Sequence, residues 1–267
     1  EMCIRDRWST LPFKTKIRMK IHILLLKKLV RRIPFIVTQT EAVKQGLIKE
    51  LGKNPEHIRV INNVLPAVYA SLENTPIEEQ TSWVEIPVVG GGEHKNLDII
   101  PYVLKELEES YGIKNYRFHI TLPQSSPVLP VIEKKIKEFG FEDRIVNHGN
   151  LKQQDLAILY RSCKISFLPS VLEVFSASTI ESMYFQLPTV ATNLSFNTEV
   201  FADSCLYYTP KNFKGAASQI VKAVTDEKLR SELCDKMKKQ LLRFNSFEKY
   251  FNDTVDFLIE VGSGKHQ

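Results

Sequence analysis

Glu173 and Glu181 are two carboxylates eight positions apart, separated by a run of small and polar residues. An apolar stretch ending in Pro169-Ser170 comes before them, and a helical pattern over about 178–187 follows. Glu173 falls in the loop and Glu181 in the first turn, so both can face one crevice. Between them the N–H groups of residues about 175–178 are those a helix start leaves unpaired, and they form a ready anion site. A ligand with hydroxyls at two places and phosphates in the middle matches that layout. This is the outline of a nucleotide-sugar: sugar hydroxyls, diphosphate, ribose hydroxyls. Ser178-x-x-Glu181 also fits a capping box, in which Glu181 is only a cap.

A second group follows an apolar run: Val88-Val89-Gly90-Gly91-Gly92-Glu93-His94-Lys95-Asn96. Three glycines permit close backbone approach and unusual dihedrals, and a flexible turn is the plain alternative. Asn96 has the chemistry of an N-cap. Lys95 then stands at the positive end of a helix, where an anion binds well. The spacing is neither G-x-G-x-x-G nor G-x-x-x-x-G-K-[ST], which weighs against a nicotinamide enzyme and a P-loop ATPase. The chain has no Asp-x-Asp, so neither a diphosphate-bound metal nor any other cofactor is expected.

These loops need elements to hold them. Strand candidates are Phe35–Thr38, Ile58–Ile61, Val84–Val89, Tyr116–Leu122, Arg144–Asn147, Lys164–Leu168, Pro188–Ala191 and Cys205–Tyr208. Helical patterns cover about 97–110, 128–139, 152–161, 178–187, 212–224, 226–242 and 246–261. Thr38-x-x-Glu41 reads as a capping box opening a helix to about Leu51, and Gly52 ends it. Strands alternating with helices imply right-handed crossovers and a parallel sheet covered on both faces. The six strands between 84 and 208 make one doubly wound sheet, whose ligands bind beyond the carboxyl ends of the strands.

The expected organisation follows. Residues 1–7, Glu-Met-Cys-Ile-Arg-Asp-Arg, resemble a translated library-adapter sequence and are read as a scar; the alternative is an ordinary terminus. Residues 8–66 read as the remnant of an N-terminal domain, 67–82 as a linker and 83–242 as a ligand-binding domain. Residues 243–261 read as a crossover helix and 262–267 as a disordered tail.

Composition adds limits. The chain has 267 residues, is 43% hydrophobic and carries a formal charge of +5. Residues 1–32 hold 10 Lys/Arg against 2 Asp/Glu, while the remainder holds 26 against 29. A basic helix around Lys14–Arg32 could lie on an anionic membrane or pack its apolar side on a neighbour. Nothing resembles a nucleic-acid motif. The four cysteines and six histidines form no cluster in the sequence. Reduced thiols and a cytoplasmic setting are expected, with possible contact at the inner membrane face.

Pro169-Ser170-x-x-Glu173-x-Phe175-(x)5-Glu181-(x)6-Pro188-x-Val190-Ala191 resembles the E-x7-E signature of retaining glycosyltransferases with the GT-B fold, family 4 (glycosyl transferases group 1). His94-Lys95-Asn96 is similar to that family's pyrophosphate-lysine motif. His148-Gly149-Asn150-Leu151, followed by Asp155-Leu156-x-x-Leu159-Tyr160, is similar to its base-binding turn and helix. Ile61-Asn62-Asn63-Val64 resembles its hinge strand, and Asn193-x-Ser195-x-x-x-Glu199-Val200 its late loop. The resemblance runs from about residue 34 to 261. It implies that the six-stranded sheet is the C-terminal, Rossmann-like domain, which binds a nucleotide-sugar donor. The other domain serves a glycan, lipid-linked or other acceptor. It implies Lys95 on the diphosphate, Glu173 on sugar hydroxyls and Glu181 on ribose. Phosphate is cradled by Phe175, Ser176 and Ala177. His148, Gly149 and Leu151, with the turn after Leu122, flank the base, and Gly90, Gly91 and His94 complete the donor site. Catalysis is assigned to Lys95 and Glu173.

Departures matter. Val174 and Ser176 stand where the family often has glycines, and the arginine that frequently precedes the lysine is absent. Most of the N-terminal sheet has no counterpart, so this stretch is expected to bind a donor but transfer little alone. A sugar epimerase, a phosphorylase, a non-catalytic binding domain or a generic α/β domain with carboxylate caps are the other readings.

Overall fold

The computed structural model describes residues 13–66, 68–69, 82–244 and 246–263. The expected scar, most of the expected linker and residues 264–267 of the tail lie outside the described residues. The chain divides into two compact units, residues 1–64 with 246–267, and residues 65–245.

In the first unit, helix α1 spans Phe13–Arg32. Strand β1, Ile36–Thr38, leads into α2, Glu41–Leu51, and then β2, Ile58–Val60. The strands pair in parallel, with Ile36 opposite Ile58 and Thr38 opposite Val60. The cap of α2 is Thr40, whose hydroxyl accepts from the Val43 N–H at 3.4 Å. The expected cap, Thr38, is committed to the strand pair, and its hydroxyl instead donates to the Thr40 carbonyl. Gly52 closes α2 at φ 65°, with its N–H on the Ile48 carbonyl; a Cβ is costly in that conformation.

The second unit carries β3 (Val84–Val88), α3 (Ile100–Tyr111), β4 (Tyr116–Ile120), α4 (Leu129–Phe139), β5 (Ile145–Asn147) and α5 (Gln153–Ser162). It continues with β6 (Ser166–Leu168), α6 (Ala177–Tyr184), β7 (Thr189–Thr192), α7 (Ser195–Phe201), β8 (Leu206–Tyr208), α8 (Phe213–Thr225) and α9 (Glu227–Leu241). All pairings are parallel, in the orders β3-β4-β5 and β6-β7-β8. Strands β3 and β6 lie side by side, linked by the Lys164 N–H donating to the Glu85 carbonyl at 3.1 Å. Two residues further along the same edge, Pro87 has no N–H to give, which interrupts the ladder there. The spatial order is β5-β4-β3-β6-β7-β8, so β3 and β6 flank the point where the winding reverses. Their carboxyl ends frame the crevice where such sheets bind ligands.

The sheet is covered on both faces. Ile86, Val88, Phe118, Ile120 and Phe167 pack with Ile100, Val103, Leu104 and Leu107 of α3 and Ala216, Ala217 and Ile220 of α8. Elsewhere Leu168 and Ala191 pack with Ile180 and Met183 of α6, Val200 of α7 and Met237 of α9. Strand β3 is buried at every position, which is why it reads as an apolar run rather than an alternation. The short α7 was not expected; its N-cap is Leu194, whose side chain makes no capping bond. Helix α10, Phe247–Gly262, belongs by its contacts to the first unit. There Phe257 meets Phe35 edge-on at 6.3 Å, and Glu260 pairs with Arg59 at 2.5 Å. Among the described residues no helix is long and apolar enough to cross a membrane.

Phe167 is fully buried between Phe118, at 5.9 Å, and Tyr208, at 5.7 Å. Phe167→Ala is expected to cost about 3–5 kcal/mol, measured as a lower urea midpoint at unchanged slope.

Candidate functional site

The loop after β3 is built around a lysine stem. Gly90 has φ 124°, and a Cβ there would lie 2.5 Å from Cε of Lys95. The dihedral therefore favours glycine, and the space beside it is taken by the lysine stem. The Gly90 N–H donates to the Thr121 hydroxyl at 2.9 Å, tying this loop to the turn after β4. A Cβ on Gly91 would crowd Pro123 in the same turn at 3.2 Å. Lys95 sits in a 3-10 turn, Glu93–Lys95, rather than at the start of the next helix. Asn96 closes that turn at φ 56° and makes no side-chain cap bond. It is not the N-cap of α3, because a second 3-10 turn, Leu97–Ile99, intervenes. The helix tip beside Lys95 is that of α6.

The loop after β6 meets it. The Val171 N–H donates to the His94 carbonyl at 2.8 Å. Nζ of Lys95 lies 2.6 Å from Oε1 of Glu173, with the two side chains only 14% and 11% exposed. Nζ also donates to the Ser176 hydroxyl at 3.3 Å. Ser176 is the N-cap of α6 and makes no capping bond of its own, so the first-turn N–H groups at Ala177 and Ser178 stay open for an anion. His94 lies at the rim, 3.8 Å from Glu173. Phe175 packs its ring on Phe244 at 5.7 Å and anchors the loop. Val174 is exposed, so its replacement of a glycine adds no bulk beneath the loop. Ser176 turns the other replacement into a partner for the lysine.

Glu181 is placed differently from expectation. It is 5% exposed. One oxygen accepts from the Tyr69 hydroxyl at 2.7 Å and the other from the Tyr160 hydroxyl at 2.9 Å. It is not the acid of a capping box, since α6 starts at Ala177 and the carboxylate turns inward to the tyrosines. Burial raises its pKa above the usual glutamate range, opposed by the two hydroxyls and by the charge of Lys95. Tyr69 lies in the stretch read as a linker, yet it is 1% exposed and packs on Phe185 at 5.5 Å. An isolated aromatic between Pro66 and the acidic run was the available signal. Tyr160 stacks on the same Phe185 at 5.2 Å.

The turns after β4 and β5 are pinned by Asn147. Its Oδ1 accepts from the Leu122 N–H at 3.0 Å and the Gly149 N–H at 3.1 Å, and its Nδ2 donates to the Leu122 carbonyl at 3.1 Å. Gly149 has φ 67°. His148 and Gly149 therefore share one ridge with Leu122, and half-buried Leu151 packs, as Val89 and Leu156 do, against the buried cluster of Leu159, Tyr160, Cys163 and Leu187. Two of the six histidines meet in space: His148 stacks on His119 at 5.1 Å. Hydrogen bonds thus run from the β5 turn through those after β4 and β3 to the loop after β6, along the carboxyl edge of the sheet. Lys95, Glu173 and Ser176 come together; Glu181 lies behind them under two tyrosines.

Three comparisons bear on this edge. The family model for glycosyl transferases group 1 matches residues 86–240, more than half of the chain. The O-antigen chain mannosyltransferase RfbU of Salmonella typhimurium is 24% identical over 200 residues, 73% of this chain and 52% of the relative. The chain thus spans about half the length of that relative. A glycosyltransferase structure from Rickettsia africae superposes with a TM-score of 0.76 at 17% identity, over 88% of this chain and 66% of the other. Anabaena Alr3699/HepE, solved in complex with UDP-glucose, gives 0.73 at 16% identity, over 90% and 67%.

The raised pKa of Glu181 predicts a sign. The folded state holds its proton more tightly than the unfolded chain, so stability falls as pH rises from the ordinary glutamate range through the raised folded value. Glu181→Gln is expected to flatten that fall in chemical denaturation series between pH 4 and pH 8; an identical slope in both proteins contradicts it.

Proposed function

The chain belongs to the glycosyl transferases group 1, and from that premise we propose that it transfers a sugar, with retention, from a nucleotide-diphosphate sugar. The acceptor is a glycan or a lipid-linked or other hydroxyl. The observation that carries this reading is Lys95 at the open tip of α6, 2.6 Å from Glu173 and 3.3 Å from Ser176.

The roles follow from charge and reach. The diphosphate takes Lys95 and the N–H groups about Phe175, Ser176 and Ala177. Glu173, adjoining in the same loop, accepts from the sugar hydroxyls. Lys95 and Glu173 neutralise each other's charge, yet Oε1 of Glu173 is buried and accepts no hydrogen bond among the described residues, so a sugar hydroxyl supplies the donor it lacks. The base lies along the ridge of His148, Gly149 and Leu151. Glu181 receives ribose by trading one tyrosine hydroxyl for a ribose hydroxyl. As the glycosidic bond lengthens, charge grows on the leaving diphosphate, where the fixed ammonium and amide dipoles meet it without reorganisation. The acceptor hydroxyl attacks from the face the diphosphate leaves, which preserves the anomeric configuration. No metal or cofactor enters this reading.

Exposed apolar and basic side chains on α1 support a peripheral membrane contact. Ile17, Ile21, Leu24, Leu25 and Leu29 are exposed on the helix that also bears exposed Lys20 and Lys28. Cys163, Cys205 and Cys234 are free thiols, which supports the cytoplasmic assignment.

Lys95→Ala is expected to lower donor-dependent turnover about a hundredfold, measured as nucleotide release with UDP-, GDP- and ADP-sugars; an unchanged rate contradicts the assignment. Co-sedimentation with phosphatidylglycerol vesicles at low salt is expected to exceed that with phosphatidylcholine vesicles. Replacing Lys20, Lys27 and Lys28 by glutamine is expected to remove the difference.

A further inference from the structure

Glu85 is a buried carboxylate in the middle of the sheet, on a strand otherwise apolar. Its Oε1 faces Nη1 of Arg117 at 3.4 Å, and Arg117 in turn stacks on the Trp83 ring at 4.2 Å. Its Oε2 lies 2.7 Å from Nε2 of His119. Nδ1 of His119 lies 2.8 Å from Nε2 of His148, the residue that opens the ridge assigned above to the base. Among the described residues Nδ1 of His148 has no hydrogen-bond partner, and the residue is exposed. The thiol of Cys163 also feels Glu85.

The chain of contacts dictates the protons. A carboxylate only accepts, so Nε2 of His119 carries the hydrogen and donates to Glu85. Arg117 supplies a countercharge to Glu85, and a neutral imidazole at His119 then has its single hydrogen on Nε2. Its Nδ1 is then a lone pair and must receive a hydrogen from Nε2 of His148. A neutral His148 with hydrogen on Nε2 has none on Nδ1. Desolvation of the His148 ring, and after it the neighbouring His119 ring, lower its pKa, which favours the neutral form.

We propose that Glu85 and His119 are positioning residues that fix the tautomer of His148, so that its Nδ1 is presented as a hydrogen-bond acceptor to an N–H of the donor's base. This deepens the proposed function and rests on it for the identity of the ligand. Second-sphere pairs that set a histidine's tautomer are a general device. Here the pair is two residues deep and begins inside the core.

The experiment is long-range 15N–1H correlation on the full chain at neutral pH, with thermal unfolding as a check of folding. Wild type is expected to show His148 with its hydrogen on Nε2. In Glu85→Gln the amide oxygen stays with Arg117 and the NH2 turns to His119, which reverses every donor in the chain. His148 is then expected to carry its hydrogen on Nδ1, and affinity for UDP, GDP or ADP, whichever binds, is expected to fall about tenfold. His119→Phe keeps the stack without the hydrogen bond. It is expected to give a mixture of tautomers, and is the variant to read if Glu85→Gln does not fold. If UDP is the ligand, N3-methyl-UDP, whose base no longer offers that N–H, is expected to bind wild type about tenfold more weakly than UDP; equal binding overturns the base N–H as the group received. A wild-type His148 with its hydrogen on Nδ1, or the same tautomer in all three proteins, overturns it. A tautomer swap without binding of any nucleoside diphosphate overturns the proposed donor site while leaving the relay standing.

Discussion

The ion pair between Lys95 and Glu173 at the tip of α6 is the interaction on which the functional edge depends. Both side chains are largely withdrawn from water. A pair of this kind adds little to stability compared with apolar residues of the same volume, yet removing one partner costs about 3–5 kcal/mol. It is therefore a poor way to hold a fold together and an effective way to hold two opposite charges ready. A ligand that is anionic at one place and rich in hydroxyls at the next is complementary to both.

Everything around the pair limits where those charges can be. Gly90 leaves room for the lysine stem, and a Cβ there would collide with it. The Val171–His94 bond fixes the two loops against each other. Phe175 anchors the glutamate loop in the core through Phe244. The loops leave β3 and β6, which adjoin where the direction of winding reverses, so the topology of the sheet opens the crevice at this position. Glu181 is the opposite case: it is covered by Tyr69 and Tyr160, whose hydroxyls offset part of its desolvation. The two acids of the E-x7-E spacing thus have different physics, one poised by a lysine and one buried by tyrosines.

Much of the fold was legible in the sequence. Strand β3 is buried at every residue and, Glu85 apart, stands out as an apolar run, and α3, α4 and α8 show a clear helical period. What was misread was local chemistry that tertiary context overrode. Thr38 and Asn96 have the right side chains for caps, but one is paired in a strand and the other closes a 3-10 turn. Helix α7 is seven residues long, too short to show a period. At the site, the Lys95–Glu173 constellation was legible because both residues sit in loops directly after strands. The Tyr69–Glu181 contact joins residues 112 positions apart, and no local pattern announces it. The Glu85–His119–His148 chain was hidden for the same reason: each member comes from a different strand or turn, and only the pairing of the sheet brings them together.

The most direct test of the paired-charge account is calorimetric comparison of each nucleoside diphosphate with its sugar conjugate (UDP with UDP-glucose, GDP with GDP-mannose, ADP with ADP-glucose) on wild type, Glu173→Gln and Lys95→Ala. For the pair that binds wild type, the account predicts that the lysine variant weakens both ligands alike. The glutamate variant is predicted to keep the bare diphosphate and lose the added affinity of the sugar. Equal binding of both ligands by all three proteins contradicts it.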